Sequence, residues 1–164
     1  MDALEALHTR RSCRRFTAKE VPHDLLEKVV DAGRLAATAR NEQPCEFVVV
    51  LEKEARRDIA ALTDHGAFIA DATVCIAVLA KDTKYYIEDG SAATQNILVA
   101  AHALGLGGCW VAGDKKPYAP KVVERVGAPA GMHLVALVAL GWPLGGLPNP
   151  PKRPLHEVLH WETF

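Results

Sequence analysis

The sequence predicts a mixed fold of helices and strands, α+β or α/β, with a central sheet sandwiched between helical layers. Three observations predict it. The apolar runs EFVVVL, TVCIAVLA and HLVALVALGW lack the alternation of a half-exposed strand, so they read as strands covered on both faces. Stretches with apolar residues at helical spacing lie before and between them. Two helices precede the first strand, and the richest glycine stretch, Gly105-Leu106-Gly107-Gly108, runs into Cys109 and Trp110 without a G-x-G-x-x-G, which does not suit a dinucleotide-binding Rossmann start.

In chain order, residues 2 to 9 predict a short helix. Pro22 to Thr38 predict a longer one, with Leu25, Leu26, Val29, Val30 and Ala32 to Ala37 at helical spacing. A basic loop, RRSCRRF, separates the two. Strands are expected at Glu46 to Leu51 and Thr73 to Ala80, with no element assigned from Glu52 to Ala72. Tyr86 to Leu104, rich in Ala and Leu, predicts the strongest helix, with Gly105 as its stop. A strand at Cys109 to Ala112, a short helix at Pro120 to Val126 and a last core strand from His133 to Trp142 follow; Cys109 and Trp110 are expected in the core. The chain reads as one domain, 1–164, with 143–164 an extended, proline-stiffened C-terminal tail.

Composition narrows the function classes. A hydrophobic content of 49% with 24% charged residues is that of a globular chain. Nineteen Lys plus Arg against 20 Asp plus Glu leave a net charge of -1, so no global field draws the protein to nucleic acid or an anionic membrane, and an anion must be held locally. Cys13, Cys45, Cys75 and Cys109 form no C-x-x-C pair, which suits neither a zinc site nor a disulfide scaffold and favours a reducing cytoplasm. The start MDALEALHTRR carries charges where a signal peptide needs its apolar core, and no apolar run approaches the roughly 18 residues of a membrane helix.

Two constellations carry chemistry. Arg10, Arg11, Arg14 and Arg15 fall within six residues together with Ser12. Standing alone they read equally as a solvated charge run or as a phosphate site, because forked guanidinium groups and a hydroxyl match phosphate oxygens. The second is the turn from helix to strand, where Thr38, Arg40, Asn41 and Gln43 cluster before Pro44. Such residues end helices in any case, and they also bind a sugar alcohol chain or the edge of a heterocycle.

The pattern Arg10-Arg11-Ser12-Cys13-Arg14-Arg15-Phe16, followed by Thr38 to Pro44 as T-x-x-N-x-Q-P, resembles the nitroreductase family. Asp89 to Asn96 opening an alanine-rich helix, the glycine turn Gly105 to Trp110 and the ending Lys152 to Trp161 are similar to that family in the same order. The resemblance implies an α+β fold with a mixed or antiparallel central sheet, an intertwined homodimer, and two flavin mononucleotide (FMN) sites at its interface. It implies that Arg10, Arg11, Ser12 and Arg14 hold phosphate and ring edge from one subunit while Thr38, Asn41 and Gln43 approach from the other. Either Lys152 or Arg153 of the tail is implied at the phosphate; Cys45 departs from the aromatic residue of many relatives.

Backbone N–H groups of Leu106, Gly107 and Gly108 are expected to face the flavin, the alternative being a helix stop entering a strand. Tyr85 and Tyr86 offer either a stacking platform for a planar substrate or packing under the helix start. The literal H-E-x-x-H at His156 to His160 follows a proline-rich entry and is read as tail rather than as a metal site. The expected activity is a ping-pong oxidoreduction from NADH or NADPH through FMN to a small organic acceptor, with no side chain needed as catalyst. A flavin carrier or redox sensor without turnover is the alternative; nucleic-acid binding is disfavoured by the charge balance.

Overall fold

The β-branched runs form one antiparallel sheet of four strands: β1 (Cys45–Val50), β2 (Val74–Lys81), β3 (Gly107–Ala112) and β4 (Met132–Gly141), in the order β1-β2-β4-β3. This computed structural model describes all residues, 1–164. The helices are α1 (Ala3–Thr9), α2 (His23–Arg34), α3 (Lys53–Leu62), α4 (Tyr86–Ala103) and α5 (Ala119–Arg125). The period of two in the strands sends alternate residues to two cores. Ile76, Val78, Val138 and Leu140 meet α2 and α4 on one face. Cys75, Ala77, Leu79 and Leu137 meet α3 and α5 on the other. The sandwich and the α+β class expected from the sequence are therefore present.

Continuous apolar sequence corresponds to full cover only in the two central strands, β2 and β4; β1, at the sheet edge, is half-buried along most of its length. Four sequence expectations need correction. The second helix stops at Arg34, because Leu35 already carries the capping geometry and Thr38 is extended; a one-turn 3-10 helix, Ala39–Asn41, follows. The unassigned stretch contains α3, whose first turn is capped by the Glu52 carboxylate accepting from the Glu54 and Ala55 N–H groups. β3 starts at Gly107 rather than Cys109. Cys109 is buried as expected, but Trp110 is 36% exposed, because alternation turns it away from the core that Val111 enters.

Gly105 stops α4 with a φ of 83°, as expected, and lets the Leu106 N–H bond back to the Ala101 carbonyl at 2.8 Å. β3 then has β4 on one side and the N-terminal segment on the other. Ser12 bridges Gly108 in parallel, and the Cys13 N–H donates to the Gly108 carbonyl at 3.0 Å. A Cβ at Gly107 would lie 2.6 Å from the Cys13 Cβ, so glycine is what lets the basic loop lie this close to the sheet. From there the loop is held against the end of β4 by Thr17 donating to the Trp142 carbonyl and Leu144 donating to the Arg15 carbonyl.

Candidate functional site

The basic loop and the C-terminal tail line a cavity of about 500 Å³ whose walls are cationic and polar apart from two prolines: Arg10, Arg11, Ser12, Arg14, Pro148, Asn149, Pro150 and Lys152. Loop and tail are fastened by Arg11, whose Nε donates to Asn149 Oδ1 at 2.7 Å while its Nη1 donates to the His8 and Arg10 carbonyls, each at 2.8 Å. Arg11 is thus committed to shaping the cavity. Arg10, Arg14 and Lys152 take part in none of the ion pairs of the chain. Uncompensated cations around a hydroxyl make a site that a phosphate's charge and acceptor oxygens fit. Their field reaches His102 on α4, whose pKa is lowered by burial first and then by Arg10 and Arg11. Between the two tail cations implied earlier, Lys152 lines the cavity, whereas Arg153 turns to Glu157, donating to its carbonyl at 2.9 Å.

Arg14 also lines a second cavity of about 200 Å³ with His65, Phe68, Cys109, Trp110, Val111, Ala112, Lys116 and Tyr118. Its guanidinium lies 5.8 Å from the centre of the Phe68 ring. This cavity follows the open edge of β3. Because the Gly108 carbonyl faces the N-terminal segment, the alternation of an antiparallel ladder points the peptide groups of Trp110 and Ala112 to the same open side. Beyond Gly108 that side has no strand partner, and the Ala112 carbonyl is taken by the Tyr118 hydroxyl. What remains on that side are the Trp110 and Ala112 N–H groups and the Trp110 carbonyl, which takes only the Cys109 thiol at 3.7 Å, beside aromatic surface and Arg14, a lining that suits a flat heterocycle with polar atoms at its rim.

The expectation of exposed N–H groups at Leu106, Gly107 and Gly108 is not met. Leu106 is 1% exposed in the core, and Gly107 and Gly108 are buried strand residues set against Cys13 and Leu98. The donors that face a cavity lie further along the same strand. The signal was present in the sequence only as a strand; which of its edges stays open is a tertiary fact.

Thr38, Asn41 and Gln43 are not brought to the basic cavity. They precede β1, at the edge of the sheet opposite β3, three strand spacings or about 14 Å across. Thr38 and Gln43 line a separate cavity of about 100 Å³ with Gly33, Arg34, Ala36, Cys45 and Ala93. Arg40, Asn41 and Gln43 have φ values of 54°, 58° and 50°, left-handed for three non-glycine residues within four positions. Asn41 and Gln43 are exposed.

Tyr86 at the start of α4 stacks on His133 with ring centres 4.4 Å apart and donates to Asp114 Oδ1 at 2.7 Å. Its phenol is pushed up to about 12, first by that hydrogen bond, then by burial and the carboxylates of Asp114, Asp82 and Glu88. Tyr85 is half-buried, 5.2 Å from the Lys84 ammonium, and makes no such contact. Burial raises all four thiols, Cys45 to about 11 and Cys75 to about 12, so none is poised as a thiolate nucleophile. His156 and His160 lie in the exposed tail around a single 3-10 turn, Leu155–Glu157, and the His160 ring stacks on Phe164.

The chain matches the nitroreductase family over residues 7–67 and 64–142. A protein of Methanothermobacter thermautotrophicus named as a candidate NADH dehydrogenase/NAD(P)H nitroreductase is 36% identical over 172 residues, covering 100% of this chain and 88% of that one. An NADPH-flavin oxidoreductase of Vibrio harveyi is 27% identical over 180 residues, covering 99% and 75% respectively. Among solved structures, a candidate nitroreductase of Desulfovibrio desulfuricans in complex with FMN superposes with a TM-score of 0.87 at 31% identity, covering 100% of this chain and 98% of that one.

Proposed function

This chain belongs to the nitroreductase family, and from that premise we propose that it is an FMN-dependent oxidoreductase that uses NADH or NADPH to reduce a small organic acceptor. The observation that carries the reading is the pair of cavities joined at Arg14: a cationic one and an aromatic one along the open strand edge. They match the two ends of FMN. In this reading Arg10, Ser12 and Lys152 hold the phosphate, and Arg11 holds the tail that brings Lys152 there. Arg14 spans from the phosphate toward the ring rim, and the N–H groups of Trp110 and Ala112 face the ring. Bound FMN supplies the hydride acceptor for the nicotinamide and the electron donor for the organic substrate. The chain's own part is to bind, orient and exclude water; Tyr86 is engaged by His133 and Asp114, which leaves Tyr85 as the ring free to meet an acceptor.

A homodimer belongs to the same proposal. The tail exposes Leu155 at 70%, Trp161 at 79% and Val158 at 50%, apolar surface that its own chain leaves uncovered. Thr38, Asn41 and Gln43 lie across the sheet from the basic cavity, so they complete an FMN site only in a neighbouring copy. No helix is long and apolar enough to cross a membrane; a cytoplasmic location is part of the proposal, favoured by free thiols. The test is the purified protein itself. Yellow protein that releases FMN and consumes NADH or NADPH steadily with a quinone or nitroaromatic supports the enzyme. FMN bound without turnover would favour a carrier, and failure to take up FMN would remove the reading.

A further inference from the structure

We infer that Asp89 is a positioning residue, whose buried carboxylate holds the Thr38–Gln43 loop in the left-handed shape that presents Asn41 and Gln43 outward. The inference rests on the reading of that loop as a wall of a neighbouring copy's FMN site. Asp89 lies in the first turn of α4, 4% exposed, and its Oδ1 accepts the Ala39 N–H at 2.9 Å. Its Oδ2 is buried without a partner. The N-terminal end of α4 favours a negative charge in its first turn, but it does not require one buried with an oxygen left unpartnered; the one hydrogen bond this carboxylate makes goes to the loop. The loop does. Left-handed backbone is disfavoured for L-residues, and three such residues in four positions persist only where surrounding contacts hold them.

Three side chains bond to the backbone of this loop; the weakest of these bonds is Gln43 Nε2 donating to the Asn41 carbonyl at 3.4 Å. Thr38 Oγ1 accepts the Gln43 N–H at 3.2 Å and closes the turn on itself. Asp89 ties the turn to α4, and so to the core, at the start of the 3-10 helix. The carboxylate's charge is also felt by the thiol that follows the loop: Cys45 is raised by burial and then by Asp89 and Glu46. Without the Asp89 bond, the loop's entry keeps only its own 3-10 hydrogen bonds, Asn41 N–H to the Thr38 carbonyl and Glu42 N–H to the Ala39 carbonyl, each at 3.1 Å, and no tie to α4 opposes relaxation of Arg40 and Asn41 to ordinary backbone angles. Asn41 and Gln43 would then lose their fixed direction while the Arg10 cavity, at the other sheet edge, stays intact.

The test compares Asp89→Ala, Asp89→Asn and the unaltered full chain. Asparagine keeps an acceptor oxygen for Ala39, so it should rescue what alanine loses. Amide exchange of residues 36–45 is measured after FMN removal, and the FMN dissociation constant by fluorescence titration. For Asp89→Ala the expected result is at least about tenfold faster exchange at Ala39 and a roughly tenfold weaker FMN, with Asp89→Asn near the unaltered protein in both. If the alanine variant does not fold, Asp89→Ser, which keeps a polar atom there without the carboxylate's reach to Ala39, carries the same two measurements. A folded Asp89→Ala with unchanged exchange overturns the inference, as does Asp89→Asn equally impaired. Faster exchange with unchanged FMN affinity overturns the loop's place at the cofactor, whereas an unaltered protein that takes up no FMN removes the proposed function and leaves the exchange result to judge Asp89's hold on the loop.

Discussion

At the scale of single residues, the cations of the N-terminal loop divide by what already engages them. Arg11 is spent on two carbonyls and Asn149, and Arg153 on Glu157, whereas Arg10, Arg14 and Lys152 have no carboxylate partner. In the proposed site a charge-assisted bond to phosphate contributes about 1.5–3 kcal/mol, roughly ten- to a hundredfold in affinity. Arg10→Ala, Arg14→Ala and Lys152→Ala should each weaken FMN by that factor in titration, and Arg153→Ala by much less. Equal losses at Lys152 and Arg153 would show that the tail rearranges around the cofactor. Unchanged affinity in both Arg10→Ala and Arg14→Ala would remove the phosphate assignment.

At the scale of elements, the far end of the sheet is fastened by Tyr86, which joins the start of α4 to His133 at the start of β4 and to Asp114 beyond β3. Gly113 makes the exit from β3 possible: a Cβ there would lie 2.6 Å from the Leu134 carbonyl oxygen. The Tyr86 phenol must be neutral to donate, and its folded pKa of about 12 exceeds the ordinary value of 10.0. Its contribution is therefore complete below pH 10 and is lost as pH rises through about 12. Tyr86→Phe keeps the ring on His133 but loses the bond. The melting-temperature gap between the unaltered protein and this variant should hold constant to about pH 9 and close between pH 10 and 12. A gap independent of pH would show that the hydroxyl does not carry the effect. If Tyr86 only packs, the Michaelis constants for nicotinamide and acceptor stay unchanged in Tyr86→Phe.

For the whole molecule, the proposed second copy accounts for two features at once: apolar tail residues with no cover of their own and two polar clusters at opposite sheet edges. Sedimentation at micromolar concentration should report a dimer. A chain ending before Pro151 should shift toward monomer and lose FMN affinity, since it lacks both Lys152 and the exposed apolar residues. An FMN-loaded monomer at micromolar concentration would count against the shared site.

The sequence by itself determined the α+β class, the three apolar strand runs, α4 with its Gly105 stop and the basic loop, because each is written in local periodicity, turn chemistry or residue type. It also held a signal for α3, a Glu52 cap before Ala55, Ile59 and Leu62, but the intervening charges blur the apolar spacing of that stretch. The tertiary structure alone decided which strand edge stays open, and with it that N–H groups at Trp110 and Ala112, rather than Leu106 to Gly108, face a cavity. It alone chose Lys152 over Arg153 at that cavity, committed Arg11 to the tail and tied Asp89 to Ala39 across 50 residues. Those facts depend on which segments far apart in the chain become neighbours, and neither spacing nor composition encodes that choice locally; packing two cores on one sheet does.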